Sequence, residues 1–273
     1  MVYFDFNFTH TVTTSIAMFT TKETSSAEFP TLTELKHSIP RSCFESDAST
    51  SLYYVARSVA LTAALMTGLT YARDAVADWL VLDVAVSLAY AYVQGVVFWG
   101  VFTIGHDCGH SSFSRYHNLN FIVGCITHSA ILTPFESWRI THRHHHKNTG
   151  NVDKDEVFYP PRAKDVPKQT AYSPGMSFFN FLKQGYAGDA HTLSHNIGTH
   201  QVHHLFPIIP HYKLNEATSH FRKAYPHLVR VNTEPIVGAY FKTLDLFVRH
   251  GSVPDDAEVF TLGAQAKAAK KAL

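Results

Sequence analysis

The most constraining feature of this chain is an uncharged apolar run of 21 residues, residues 84–104, which reads VAVSLAYAYVQGVVFWGVFTI. A helix of about 20 apolar residues is long enough to cross the hydrocarbon core of a bilayer. Asp83 immediately precedes the run, where an acid can lie at the membrane surface. At mid-membrane the same acid would cost ~2.5–3.5 kcal/mol. The run therefore predicts a membrane-spanning helix.

A weaker apolar run, residues 52–72, precedes the first. Its uncharged part, residues 58–72, has only 15 residues, but Arg57 and Arg73 flank it and their long side chains can reach outward to the membrane surface. Together the two runs predict a transmembrane hairpin. The alternative is that both are buried helices of a soluble helical metal-binding domain, because short apolar runs also occur in protein cores.

The rest of the chain contains no further run of spanning length. Residues 121–135 are apolar but short, and we expect them to form a helix that lies at the membrane interface or is partly buried. The predicted fold is therefore all-α, an integral membrane protein with one transmembrane hairpin and interfacial helices. We expect residues 1–28 to be a disordered tail, residues 29–262 to be one domain, and residues 263–273 to be a solvated tail. The first of these segments lacks the basic start of a secretory signal.

Composition narrows the function through charge and through histidine. The 273 residues carry a net charge of +1, which gives no electrostatic reason to expect a nucleic acid partner. Three cysteines without a Cys-x-x-Cys pair argue against a disulfide scaffold. The unusual number is 19 histidines, of which sixteen lie between His106 and His227. Their concentration in this part of the chain points to metal chemistry.

Three histidine clusters, called boxes one, two and three, carry that prediction. Box one has the pattern His-x-x-x-His, and boxes two and three share His-x-x-His-His, spacings that place the imidazoles of each box on one face of a helix. Imidazole is the commonest metal ligand and suits Fe, Zn, Cu or Ni. Eight imidazoles are too many for one ion and are enough for two. The candidate metal ligands are His106, His110, His142, His145, His146, His200, His203 and His204.

Two other kinds of metal site are excluded by the absence of glutamate. The protease motif His-Glu-x-x-His does not occur in any of the boxes, nor do the Glu-x-x-His pairs of carboxylate-rich di-iron bundles. The neighbours of the boxes have open roles. His144 is expected to point away from the shared face, and His195 is a candidate to orient a ligand. Asp107 either orients His106 or His110 or is solvated. His128 is expected to be an ordinary interfacial residue, and Trp138 either lines the site or anchors the chain at the interface.

The predicted topology puts the three boxes on one side of the membrane. Box one follows the second span directly, and no later run crosses back, so boxes two and three lie on the same side. An even number of crossings also places both termini there. Basic residues around box two, such as Arg139, Arg143 and Lys147, favour the cytoplasmic side. We therefore expect a cytosolic, histidine-rich cap that holds two metal ions.

Three segments resemble the histidine boxes of the membrane fatty acid desaturases, and most of all the acyl-lipid, methyl-end branch of Δ12 and omega-3 type. They are GHDCGHS at 105–111, THRHHHKNTG at 141–150 and HNIGTHQVHHLFP at 195–207. The similarity extends from about residue 29 to residue 262. In this family the eight histidines named above hold two iron ions.

The resemblance implies an enzyme of the endoplasmic reticulum membrane that uses O2 to introduce a cis double bond into a fatty acyl lipid. Electrons would come from cytochrome b5 and its reductase. The chain contains no His-Pro-Gly-Gly haem motif of cytochrome b5, so the donor would be a separate protein. Residue patterns alone leave the acyl length, the position of the double bond and the lipid carrier open.

One departure from the family separates boxes two and three. Family members carry a second pair of spans there, which needs ~40 apolar residues. Here only 53 residues, 147–199, separate the boxes, and they contain no spanning run. We therefore expect weak or absent turnover. The alternatives are an acyl hydroxylase or acetylenase on the same scaffold, and a non-catalytic membrane metal-binding remnant.

Overall fold

The computed structural model describes residues 30–149, 151, 153–155, 195, 199–228 and 241, and only the backbone of residue 200. These residues form helices and short 3-10 turns, without a β-strand. The chain divides into two bodies. The larger body comprises residues 37–139 and 185–224, and the smaller body comprises residues 1–36, 140–184 and 225–273. The predicted tails at 1–28 and 263–273, and most of the 147–199 connection, lie outside the described residues.

The helices are numbered in chain order over the described residues. Helix α1 is Leu32–His37, α2 is Ala48–Ala75, α3 is Leu80–His110 and α4 is His117–Ala130. Helix α5 is Phe135–Asn148, α6 is His200–Leu205 and α7 is His211–Ala224. Two 3-10 turns, Arg41–Phe44 and Pro226–Leu228, complete the set. Box one ends α3, box two lies in α5 and box three lies in α6.

Helices α2 and α3 are the two predicted spans, each longer than its apolar run. They have 28 and 31 residues, and both are long and apolar enough to cross a membrane. Only 6% and 17% of their most apolar windows are buried within the protein. The core helix of a soluble protein would bury most of such a window, so the exposed apolar side chains favour contact with lipid. The prediction of an all-α chain with two apolar helices is confirmed, and its sidedness stays a prediction.

Polar contacts mark the ends of the two spans. The Asp47 carboxylate caps α2 by accepting the backbone N–H of Thr50 at 2.7 Å. Hydrogen bonds from the hydroxyls of Thr50 and Ser49 help to lower the pKa of Asp47 to about 2. At the other end, Arg73 donates two hydrogen bonds to the Asp83 carboxylate at 2.6 and 3.0 Å, which closes the hairpin turn. Within the hairpin, the side-chain amide of Gln94 on α3 donates a hydrogen bond of 3.3 Å to the Thr62 hydroxyl on α2.

The apolar stretch at 121–135 does not form the single helix expected from the sequence. It is helical as far as Ala130, and its last residue, Phe135, begins the next helix. Helix α4 ends at Ala130, and Leu132 then adopts a left-handed backbone conformation with φ 58°. Pro134 precedes the first residue of α5 and disfavours the helical conformation in the residue before it. The resulting bend brings Phe135 back onto α4. Around it packs the core of the larger body, formed by Ile104, Cys108, Phe113, Val123 and Phe135.

Candidate metal centre

Box one lies on the last turn of the long apolar helix α3. His106 and His110 are four residues apart and therefore share a face, with ring centroids 4.6 Å from each other. His106 is buried and His110 is half-buried. The helix ends immediately afterwards, because Ser111 takes a left-handed conformation with φ 61°. The end of α3 therefore carries two imidazoles on one face.

Box three contributes a third imidazole to the same place in the larger body. The His203 ring lies 4.4 Å from the His106 ring and 5.0 Å from the His110 ring. One ring nitrogen from each of these three histidines lies within 4.8 Å of the other two. His204 is half-buried, with its ring 5.9 Å from His203, and the side chain of His200 lies outside the described residues. Two distant parts of the sequence therefore converge on one locus, as the metal-site prediction requires.

Box two forms its own arrangement in the smaller body. The Nε2 atoms of His142 and His146 are 3.1 Å apart, one helical turn from each other. His145 is buried, and its Nδ1 lies 2.9 Å from both carboxylate oxygens of Asp155. His144 is exposed, as the helical spacing predicts. The sequence reasoning did not assign Asp155 a role, and its only signal there was an acid ten residues after a candidate ligand.

A second buried carboxylate joins box one to α7. Asp107 is almost fully buried, and its Oδ2 accepts hydrogen bonds from the backbone N–H and from Nδ1 of His211, at 2.9 and 2.8 Å. The other oxygen lies 3.6 Å from Nδ1 of His106, which is too long for a hydrogen bond. Of the two roles left open for Asp107, the solvated one is wrong. The sequence reasoning missed His211, the first residue after Pro210.

A small cavity borders the box-one and box-three histidines. Its volume is about 10 Å³, close to what one water molecule needs, and its walls include the rings of His106, His195, His203 and His211. His195 is buried, adopts a left-handed backbone with φ 55°, and lies with its ring 4.6 Å from that of His211. Burial, assisted by the neighbouring His211, lowers the pKa of His195 to about 3. The imidazole is therefore neutral near pH 7, the form that can orient a ligand or water.

Aromatic rings cover the other side of box one. Trp138 lies 5.5 Å from the His106 ring and 4.6 Å from the His128 ring, which supports the interpretation that it lines the site. A Cβ atom on Gly109 would lie 2.8 Å from Cζ3 of Trp138, so only glycine lets the indole approach α3 this closely. His128 is completely buried, and the expectation of an interfacial residue is wrong. Burial lowers its pKa to about 4, with a smaller contribution from His106.

Comparison with known proteins agrees with the boxes. Residues 77–189, which include boxes one and two, match the family model described as fatty acid desaturase. Over these residues the chain is similar to the fatty acid desaturases. An omega-3 desaturase of Nostoc sp. (strain 36), named sn-1 acyl-lipid omega-3 desaturase (ferredoxin), is 42% identical over 152 residues. That match covers 54% of this chain and 39% of the relative.

Two further relatives extend the comparison. The enzyme of the same name from Synechocystis sp. (strain ATCC 27184 / PCC 6803 / Kazusa) is 28% identical over 319 residues, covering 78% of the chain and 86% of the relative. The tobacco (Nicotiana tabacum) protein named omega-3 fatty acid desaturase, endoplasmic reticulum, is 44% identical over 129 residues, or 47% of the chain and 32% of the relative. No solved structure matches the chain.

The length of the Synechocystis alignment is informative. It extends over 319 positions, more than the 273 residues of the chain, so the relative carries residues without a counterpart here. Two of the three relatives are named acyl-lipid desaturases and the third is named a fatty acid desaturase, and desaturases are oxidoreductases. The resemblance predicted from the boxes is thereby confirmed. The assignment of individual histidines as metal ligands stays a prediction.

Proposed function

We propose that this chain is an O2-dependent, di-iron acyl-lipid desaturase that introduces a cis double bond toward the methyl end of a fatty acyl chain, as Δ12 and omega-3 enzymes do. The observation that carries the proposal is the convergence of His203 on His106 and His110, which are nearly a hundred residues away in the sequence. The names of the relatives supply the reaction class and the acyl-lipid substrate.

The donor set of the boxes fits iron. Neutral imidazole is a good ligand for iron. The Nε2 atoms of His142 and His146 lie 3.1 Å apart, close to the separation of two nitrogens that bind one ion at ~2.0–2.1 Å. We propose the eight box histidines as the ligands of two iron ions.

The residues around the boxes provide rigidity and shielding. When bound, a pair of iron ions supplies the activation of O2 needed to remove hydrogen from an unactivated methylene. The chain holds its imidazoles in fixed directions on helices and keeps bulk water from box one with the Trp138 ring. The apolar flank of α3 leads directly to box one, so an acyl chain lying beside it reaches the ligands without leaving an apolar environment.

The electron donor and the membrane are part of the same proposal. We assign the chain to the endoplasmic reticulum membrane, with the boxes and both termini in the cytosol and electrons arriving from cytochrome b5 and its reductase. The tobacco relative is named for the endoplasmic reticulum, whereas the cyanobacterial relatives are named for ferredoxin. Purified chain assayed with each donor separately decides between them, and turnover with ferredoxin alone would contradict the assignment.

Expression in a host that supplies cytochrome b5, followed by lipid analysis, tests the proposed reaction. Wild-type chain should yield a fatty acid with an added double bond toward its methyl end, and His203→Ala should yield none. His144→Ala is the matched control, because His144 is an exposed histidine of box two. A hydroxylated or acetylenic product would identify the chain as an acyl hydroxylase or acetylenase instead of a desaturase. An unchanged lipid profile would contradict any catalytic function.

A second candidate, a non-catalytic membrane metal-binding remnant, is favoured by one observation. Only 53 residues separate boxes two and three, and the Synechocystis relative carries residues that this chain lacks. Loss of a second pair of spans would remove protein surface that encloses the acyl chain, and we therefore propose weak turnover. Two irons per chain combined with unchanged host lipids would identify the remnant.

A further inference from the structure

We propose that Asp155 is a positioning residue of the metal centre, and that its carboxylate fixes His145 in the tautomer whose Nε2 binds iron. This inference rests on the proposed function, because it requires that box two binds metal. It goes beyond the family motifs, since Asp155 lies outside all three boxes. Both residues belong to the smaller body, so their contact is internal to one body.

The geometry of the pair is unusually complete. Nδ1 of His145 lies 2.9 Å from Oδ1 and 2.9 Å from Oδ2 of Asp155. Asp155 is 0% exposed and His145 is 4% exposed, so water does not compete for this contact. A carboxylate accepts hydrogen bonds, and Nδ1 must therefore carry the proton. In a neutral imidazole the remaining nitrogen, Nε2, then has the lone pair that a metal ion needs.

A local turn puts the carboxylate in this position. The side-chain oxygen of Asn151 accepts the backbone N–H groups of Asp153 and Lys154, each at 3.0 Å. The backbone carbonyl of Asn151 also accepts the N–H of Asp155 at 3.0 Å. These bonds hold the chain after α5 in a tight turn that returns Asp155 toward the helix. The contact is therefore built by the backbone and does not depend on a long, flexible side chain.

A purely structural role for Asp155 does not explain why the residue at this position is a charged carboxylate and not a neutral amide. A buried carboxylate has a large desolvation cost, and a neutral amide of the same shape could accept the same hydrogen bond from Nδ1 at lower cost. Beside a metal ligand, however, a carboxylate raises the basicity of the imidazole and fixes its orientation. In the same box, the Nε2 atoms of His142 and His146 lie 3.1 Å apart.

Anaerobic titration of the purified, chelator-treated full chain with Fe(II) tests the proposal. Asp155→Asn keeps the shape and removes the charge, and we expect it to bind Fe(II) 10–100-fold more weakly than wild type. Asp153→Asn is the matched control, since Asp153 is an exposed acid two residues away, and its affinity should be unchanged. Thermal unfolding without metal shows whether the Asn variant keeps the fold.

A double-mutant cycle tests whether Asp155 acts through His145. In the His145→Ala background, Asp155→Asn should weaken Fe(II) binding no further. Equal losses in both backgrounds, or wild-type affinity of the single Asn variant, would overturn the inference. Asp155→Glu offers a second variant that keeps the charge, and its affinity should lie nearer wild type than that of Asp155→Asn; the reverse order also overturns the inference. If wild type itself takes up no Fe(II), the proposed metal centre fails, a result distinct from a failure at Asp155 alone.

Discussion

Gly105 on α3 faces His128 and Thr127 of α4, with no room for a side chain between them. A Cβ atom placed on it would overlap the imidazole of His128 and lie 2.6 Å from the Thr127 hydroxyl. Gly105→Ala must therefore push α4 away or force His128 out of its position, and we expect a loss of about 1–3 kcal/mol. Thermal unfolding in detergent measures this loss.

The matched control is Gly95→Ala on the same helix. A Cβ atom there meets nothing within 4 Å, and alanine is the better helix former, so the unfolding temperature should be unchanged or slightly higher. Equal effects at the two glycines would show that close packing on His128 does not explain the requirement at position 105.

His128 predicts how the stability of the chain depends on pH. Its pKa is lowered from 6.5 to about 4, mainly because burial penalises the charged ring. Between these values the unfolded chain binds a proton that the folded chain does not bind, so stability falls as the pH drops from about 6.5 to 4. Above pH 6.5 this residue contributes no pH dependence. The slope is at most ~1.4 kcal/mol per pH unit.

Comparison of wild type with His128→Gln isolates this contribution. Unfolding temperatures are measured from pH 4 to pH 7.5, with a chelator in every sample so that loss of metal does not contribute. The wild-type curve should fall more steeply than that of the variant below pH 6.5. Parallel curves would mean that His128 titrates equally in the folded and unfolded chain.

At the scale of helices, the features that depend on residue periodicity could be predicted from the sequence. The apolar run at 84–104 lies within α3, and the spacing of His106 and His110 placed both on one face. Periodicity did not predict that the 121–135 run would bend at Leu132, because the break comes from a left-handed residue and a proline. It also did not predict the burial of His128, although a lone imidazole in an apolar run is a signal of a packed site.

Contacts between distant residues were beyond prediction for a different reason. Asp107 and His211 are separated by 104 positions, and nothing in either local pattern indicates that they meet. Asp155 and His145 are close in sequence, yet their contact depends on the turn at Asn151. Both pairings follow from how helix ends and turns pack, which residue spacing does not encode.

The Asp107–His211 pair connects α3 to the start of α7, and it yields a prediction at this scale. His211→Ala leaves the Asp107 carboxylate buried without its imidazole partner, and we expect a cost on the order of 3 kcal/mol. In the Asp107→Asn background the same change should cost clearly less, because the buried charge is gone. Metal-free unfolding of the wild type, the two single variants and the double variant measures the coupling between the residues. Additive losses of stability would contradict it.

At the scale of the whole molecule, the longer of the two apolar helices ends in box one. Helix α3 is long and apolar enough to cross a membrane and carries box one at its end, so the position of His106 and His110 relative to a bilayer depends on this one helix. Box three reaches box one across the sequence in the larger body. A change in the connection between boxes two and three therefore alters the substrate path more than it alters these ligands.

The short 147–199 connection gives the prediction that belongs to this scale. Replacing residues 156–194 of this connection with the corresponding segment of the Synechocystis relative should add protein surface that encloses the acyl chain, while Asn151, Asp155 and His195 stay in place. We expect an increase in product per chain on the order of tenfold or more, because rates depend steeply on how the reacting methylene is held. Lipid analysis of cells that express equal amounts of each chain measures it, with a glycine- and serine-rich insert of the same length as control. If the unmodified chain already produces as much desaturated lipid as the intact relative, the connection is sufficient and the proposal of weak turnover is wrong.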